Sequence, residues 1–109
     1  MRVRRYVTPG GADPVAKYVD DLAPREAARV VAATQAIEVR GLDESGVITR
    51  QVRGRLWELK LGAQRVFFVL ISGPTMVLLH GYTKGSQRAP TREIETALAR
   101  MKDVLAGED

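Results

Sequence analysis

Between residues 50 and 92 the 109-residue chain carries eight basic side chains, Arg50, Arg53, Arg55, Lys60, Arg65, Lys84, Arg88 and Arg92, against one acid, Glu58. The same stretch holds the sole histidine, His80, and Tyr82 two residues on, within HGYTKGSQRAP over 80–90. Arginine offers a phosphate a planar fork of donors, and lysine a compact charge. Histidine donates or accepts a proton near neutrality, and tyrosine stacks on a base or donates its phenolic proton. Such a set suits gripping or cleaving a phosphodiester. Solvated faces usually mix signs, and the flanks do so: residues 1–49 are neutral overall and 93–109 carry −3, against +7 for 50–92. An anionic partner, most simply nucleic acid, is the expectation.

The elements that must position these groups follow from pattern. Arg2–Val7 alternates and is rich in β-branching, a first strand ended by TPGG. Asp13-Pro14 is an N-cap with proline at the first helical position, opening the short helix VAKYVDDL. A longer helix runs from Pro24 to about Arg40, with Val30, Val31, Thr34 and Ile37 on one stripe, and Gly41 stops it. Ile48–Gly54 is polar and basic, a loop or an edge strand. Three strands follow, LWELKL at 56–61, RVFFVLI at 65–71 and MVLLHGY at 76–82, then a helix from Pro90 to about Leu105. The order β–α–α–β–β–β–α describes one α+β domain over 1–109, an antiparallel sheet with helices on one face and the other face open.

Register sharpens the expectation. A two-residue Gly62-Ala63 turn pairs Lys60 with Arg65, Glu58 with Phe67 and Trp57 with Phe68. A symmetric turn over Gly73-Pro74 pairs Phe67 with His80 and Arg65 with Tyr82. Trp57, Leu59, Val66, Phe68, Leu70, Val77 and Leu79 then share the core face, while Lys60, Arg65, His80 and Tyr82 share the open one. Lys60 directly opposite Arg65 should repel; a phosphate site would want the pair. Taken singly, each residue has a plainer explanation: a strand-end histidine that only hydrogen-bonds, a rim tyrosine, solvated loop cations, or a Lys60 paired with Glu58. Their convergence from separate segments on one face favours function.

The ordered segments LWELKL, QRVFFVL and MVLLHGYTKGSQRAPTREIETALARMKD resemble the RelE/ParE superfamily of bacterial toxins, in its phage-derived HigB-like branch. The resemblance is specific over residues 50–103 and looser over the helical pair. It implies a RelE-like fold and a toxin of a type II toxin–antitoxin system. The implied activity is mRNA cleavage, usually on the translating ribosome, and the implied partner is a helix-turn-helix antitoxin in a hetero-oligomeric complex. By position, Arg65 is similar to the strand arginine that grips the scissile phosphate and Lys60 to the basic residue of the preceding strand. His80, Tyr82 and Lys84 stand where the family keeps its other functional side chains. Tyr82 replaces a common Phe, Gly85 the second Lys of a pair, and Ala89 a capping Thr.

Metal-free RNA cleavage uses the ribose 2′-hydroxyl as nucleophile on the adjacent phosphate. It needs a base, positive charge on the phosphorane, and an acid for the leaving oxygen. Arg65 and Lys60 suit the charge; His80, Tyr82 and Lys84 are candidates for proton transfer, with Glu58 a lesser one. Arg53, Arg55, Arg88 and Arg92 are the expected RNA-binding set. No cofactor is expected, and the absence of cysteine with a lone histidine argues against zinc. No apolar run is long enough for a membrane span and no signal peptide is recognisable, so the cytoplasm is the expected location. The alternatives are a ParE-like gyrase poison acting by binding, and an inactive antitoxin-binding module.

Overall fold

The computed structural model describes residues 1–85 and 90–108. Eight elements follow in order: β1 (Arg2–Arg5), α1 (Pro14–Asp20), α2 (Pro24–Arg40), β2 (Ile48–Arg53), β3 (Leu56–Leu61), β4 (Gln64–Ile71), β5 (Thr75–Thr83) and α3 (Thr91–Ala106). Asp13 caps α1, its carboxylate accepting from the Ala16 N–H at 3.2 Å, with Pro14 in the first turn. Gly41 ends α2 at φ +82°, a conformation open to a residue without Cβ. The polar Ile48–Arg53 stretch is an edge strand.

The five strands form one sheet in the order β1-β5-β4-β3-β2. Neighbours are antiparallel except β1, which runs parallel to β5. The sheet is therefore mixed where the sequence pattern implied a purely antiparallel one. A chain returning through two helices arrives in either direction, and alternation alone does not say which.

Both faces of the sheet are covered, a correction to the expectation of helices on one face. On one side α1 and α2 bury Val15, Val30, Ala33 and Ile37 against Leu59, Val66, Phe68, Met76 and Leu78. On the other, α3 lays Ala97, with Ile94, Leu98 and Met101, over Leu56, Phe67, Val69, Val77 and Leu79. Val77 and Leu79 thus belong under α3, not beside Trp57 and Phe68. Two irregularities cause this. The β4–β5 connection pairs Ile71 with Thr75, leaving three residues in the turn instead of two. A bulge then inserts Leu79, so that Phe68 faces Leu78 while Phe67 faces His80. The shifts cancel: Phe67–His80 and Arg65–Tyr82 pair as the sequence implies, and only the part of β5 between the turn and the bulge is reversed in face.

The site end of the sheet is held by close contacts from α1 and α2. Tyr18 of α1 lies flat on Gly81, and its hydroxyl meets Thr83 Oγ1 at 3.1 Å. Arg29 of α2 donates to Leu61 O and Gln64 Oε1, both at 3.3 Å, closing over the Gly62 turn. A Cβ at Gly81 would fall 2.3 Å from the Tyr18 ring. We expect Gly81→Ala to destabilise the fold by about 1–3 kcal/mol, the usual cost of overpacking. Urea unfolding should show that loss reduced in the Gly81→Ala/Tyr18→Ala double variant. Equal losses in both backgrounds would mean that the ring contact is not the cause.

Candidate functional site

Glu58 lies at the centre of the site and is wholly buried, 0% exposed. Alternation along β3 sends it to the α3 side of the sheet, at the end α3 leaves uncovered. A carboxylate removed from water needs compensating charge and donors. Three side chains supply them. Tyr82 Oη donates to Glu58 Oε2 at 2.8 Å. Arg65 Nη1 and Arg50 Nη2 each approach Oε1 at 3.4 Å. The arginine contacts are long, closer to ion pairing than to tight hydrogen bonding. Lys60, for which pairing with Glu58 is the plainer alternative, makes no hydrogen bond or ion pair among the described residues.

Arg65 is 12% exposed at its side chain. Its Nε donates to Gly62 O at 3.1 Å and its Nη1 faces Glu58, so the guanidinium is fixed at two points and keeps other donors in reserve. Lys60 stands directly opposite Arg65 across the β3–β4 ladder. Arg50, opposite Glu58 on β2, is half exposed at 47%. The result is a ring of three cations at the solvent boundary around one buried anion.

Tyr82 is buried, and its ring stacks on Phe67 with centroids 5.4 Å apart and planes inclined by 20°. Burial first, then the hydrogen bond to Glu58 and the charge beside it, raises its phenol well above the ordinary tyrosine value. In this arrangement it braces Glu58 and offers little face to a base. His80 stacks on the other side of the group, 6.3 Å from the Phe67 centroid and within 10° of parallel. Its ring nitrogens are engaged by Glu93 and Arg100 of α3.

The remaining expected residues are dispersed. Lys84 follows β5, its N–H bonded to Ala63 O at 2.7 Å, and alternation from Tyr82 puts it on the Arg65 side. Arg53 and Arg55 sit at the β2–β3 turn, where Arg55 Nη2 donates to Leu70 O at 2.8 Å. That turn is five residues along β3 from Lys60, roughly 16 Å at a strand rise of about 3.3 Å per residue. Arg53 and Arg55 are therefore not part of the Arg65 cluster. Arg92 opens α3 at 87% exposure, 3.9 Å from Glu93. Arg88 lies outside the described residues. Sequence reasoning counted Arg50 among the basic charges without placing it in the site, and passed over Glu93 and Arg100. Glu93, Ala97 and Arg100 recur at helical spacing around a buried alanine, and that was a usable signal.

With this geometry in view the fold class is plain. The chain aligns with a chain of the archaeal RelE–RelB complex from Pyrococcus horikoshii OT3 at 20% identity and a TM-score of 0.54, covering 82% of this chain and 100% of that one. It has the α+β fold of RelE. More particularly, the chain belongs to the Gp49-like family of phage-derived proteins, whose pattern matches residues 17–102. No curated protein matches it.

The Tyr82–Glu58 bond yields a prediction. Removing one buried, charge-assisted hydrogen bond costs about 1.5–3 kcal/mol, and we expect Tyr82→Phe to lose that much stability. The pH dependence has a definite sign. A phenol that titrates higher when folded stabilises fully below its unfolded value of about 10, and that contribution is lost as pH rises through the folded value. Urea midpoints measured from about pH 9 to about 11 should fall more steeply for the wild type than for Tyr82→Phe. Parallel slopes would show that the phenol is not held by Glu58.

Proposed function

We propose that this protein is the toxin of a type II toxin–antitoxin pair and that it cleaves mRNA on the translating ribosome. The observation that carries the proposal is Arg65. Its guanidinium is fixed on a buried carboxylate, opposite Lys60 and beside Arg50, at the uncovered end of the sheet. Family membership and the RelE fold support the same reading.

The chemistry asked of such a site is limited. The ribose 2′-oxygen forms a bond to phosphorus, and the bond from phosphorus to the 5′-oxygen breaks. A proton leaves the first oxygen and another arrives on the second, giving a cyclic phosphate and a 5′-hydroxyl. The dianionic phosphorane between them needs preorganised positive charge. Arg65 supplies it as a fixed fork, with Arg50 and Lys60 as flanking charges. Glu58 keeps that fork in place and moderates the repulsion among the three cations. On this reading Lys60 and Lys84 are assigned the delivery of a proton to the leaving oxygen. Arg92 and Arg88 would hold flanking RNA by its phosphates, whereas Arg53 and Arg55 are too far along the sheet to share one phosphate with Arg65.

A cationic nuclease of its own cell's message needs a restraint. The partner is a helix-turn-helix antitoxin with an acidic or amphipathic segment, acting in the cytoplasm and bound more weakly as salt rises. Expression without that partner should arrest growth with mRNA cut and chromosomal DNA intact. Arg65→Ala should remove the arrest while circular dichroism stays native, because Arg50 and Tyr82 still serve Glu58. Removing one such donor costs about 10²–10³-fold in rate, and Lys60→Ala should show a loss of that order on purified ribosome–mRNA complexes. Damaged DNA with intact mRNA would point instead to a gyrase poison. Full toxicity of Arg65→Ala would sink the assignment of this site.

A further inference from the structure

α3 reaches the site through one ring. Arg100 Nη1 donates to Leu79 O and to His80 Nδ1, both at 3.0 Å. A guanidinium can only donate, so Nδ1 accepts and the ring proton sits on Nε2, toward the Glu93 carboxylate. The His80–Glu93 contact is accordingly a hydrogen bond from a neutral ring. Both nitrogens are occupied, on a side chain only 18% exposed. The ring then stacks on Phe67, Phe67 stacks on Tyr82, and the Tyr82 hydroxyl ends on Glu58 beside Arg65.

We propose that Glu93 and Arg100 are positioning residues: they fix the His80 ring, and through Phe67, Tyr82 and Glu58 they hold the Arg65 guanidinium where a phosphate meets it. The inference rests on reading the Arg65 cluster as a phosphodiester-cleaving site. His80 serves here as a spacer with one accepting and one donating edge. The bulge at Leu79 points the same way by a separate route. It turns two consecutive side chains of β5 toward α3, Leu79 into the core and His80 to the rim where Arg100 and Glu93 meet it. Small displacements matter at such a site, since a misplacement of about 1 Å can cost 10²-fold in rate.

A positioning ring and a proton-carrying ring predict opposite results for one substitution. Glutamine ends in an accepting oxygen and a donating nitrogen, so His80→Gln preserves both contacts but cannot exchange a proton as imidazole does. Glu93→Gln likewise keeps an acceptor for Nε2. We expect both variants to cleave ribosome-bound mRNA close to the wild-type rate. His80→Ala and Arg100→Leu should fall by about 10²-fold in kcat with RNA affinity little changed. In Arg100→Leu the Tyr82 ring, followed at neutral pH by NMR of ¹³C-labelled tyrosine, should show a shifted ¹³Cζ resonance as its bond to Glu58 changes. A folded, RNA-binding His80→Gln that cleaves about 10²-fold more slowly would overturn the proposal and make His80 the proton carrier. Wild-type rates for His80→Ala and Arg100→Leu, or an unmoved Tyr82 resonance, would overturn it as well. Arg65→Ala is the control for the underlying reading: wild-type cleavage there removes the site itself, whatever the His80 variants do.

Discussion

A buried carboxylate with three donors around it sets the character of this molecule. Glu58 is shut off from solvent, and an unpaired ion in such a place costs several kcal/mol. Arg65, Arg50 and Tyr82 come from three other strands to meet it. Their attraction to one anion lets like charges gather where a sheet would otherwise keep them apart. Lys60 opposite Arg65 is tolerable because the arginine is already paired beneath the surface. The acid thus spends part of the local stability on a cationic rim, and under the proposed function that rim is what an RNA phosphate would meet.

The same constraint explains which parts of the fold could be read from the chain. LWELKL alternates cleanly, and a two-residue turn with its glycine at φ +67° ties it to RVFFVLI, so the β3–β4 register followed from the turn. The caps at Asp13 and Gly41 fixed α1 and α2 in the same way. What stayed illegible depends on single inserted residues. A symmetric Gly54-Arg55 turn would set Gln51 opposite Glu58, but the bulge near Val52 advances the strand and brings Arg50 there. The bulge at Leu79 hides Val77 and Leu79 under α3, and no local pattern marks it because β5 is apolar on both faces. An apolar run buried on both sides carries no alternation from which a register could be taken.

The second apolar cluster changes what α3 is for. A helix lying on the same side as α1 and α2 would be remote from the cations. Placed on the opposite face, it buries Ala97 against the sheet and carries Glu93 and Arg100 to the edge of the site. Packing and chemistry share one surface there, divided along the length of the strands. The apolar half lies under the helix and the charged half lies beyond it. Tyr82 and Phe67 sit on the dividing line, aromatic toward the core and, through the phenol, polar toward Glu58.

The parallel pairing of β1 with β5 bears on how the protein comes into being. Arg2–Arg5 precedes the other described strands in the sequence, and among the described residues its one partner in the sheet is Thr75–Thr83, some seventy residues later. Closing so long a loop costs entropy that no earlier contact repays. A nascent chain therefore cannot complete the sheet until β5 has left the ribosomal tunnel. Tyr82, which braces Glu58, arrives in that same segment. The brace beneath the cationic ring is therefore set by the same segment that closes on β1.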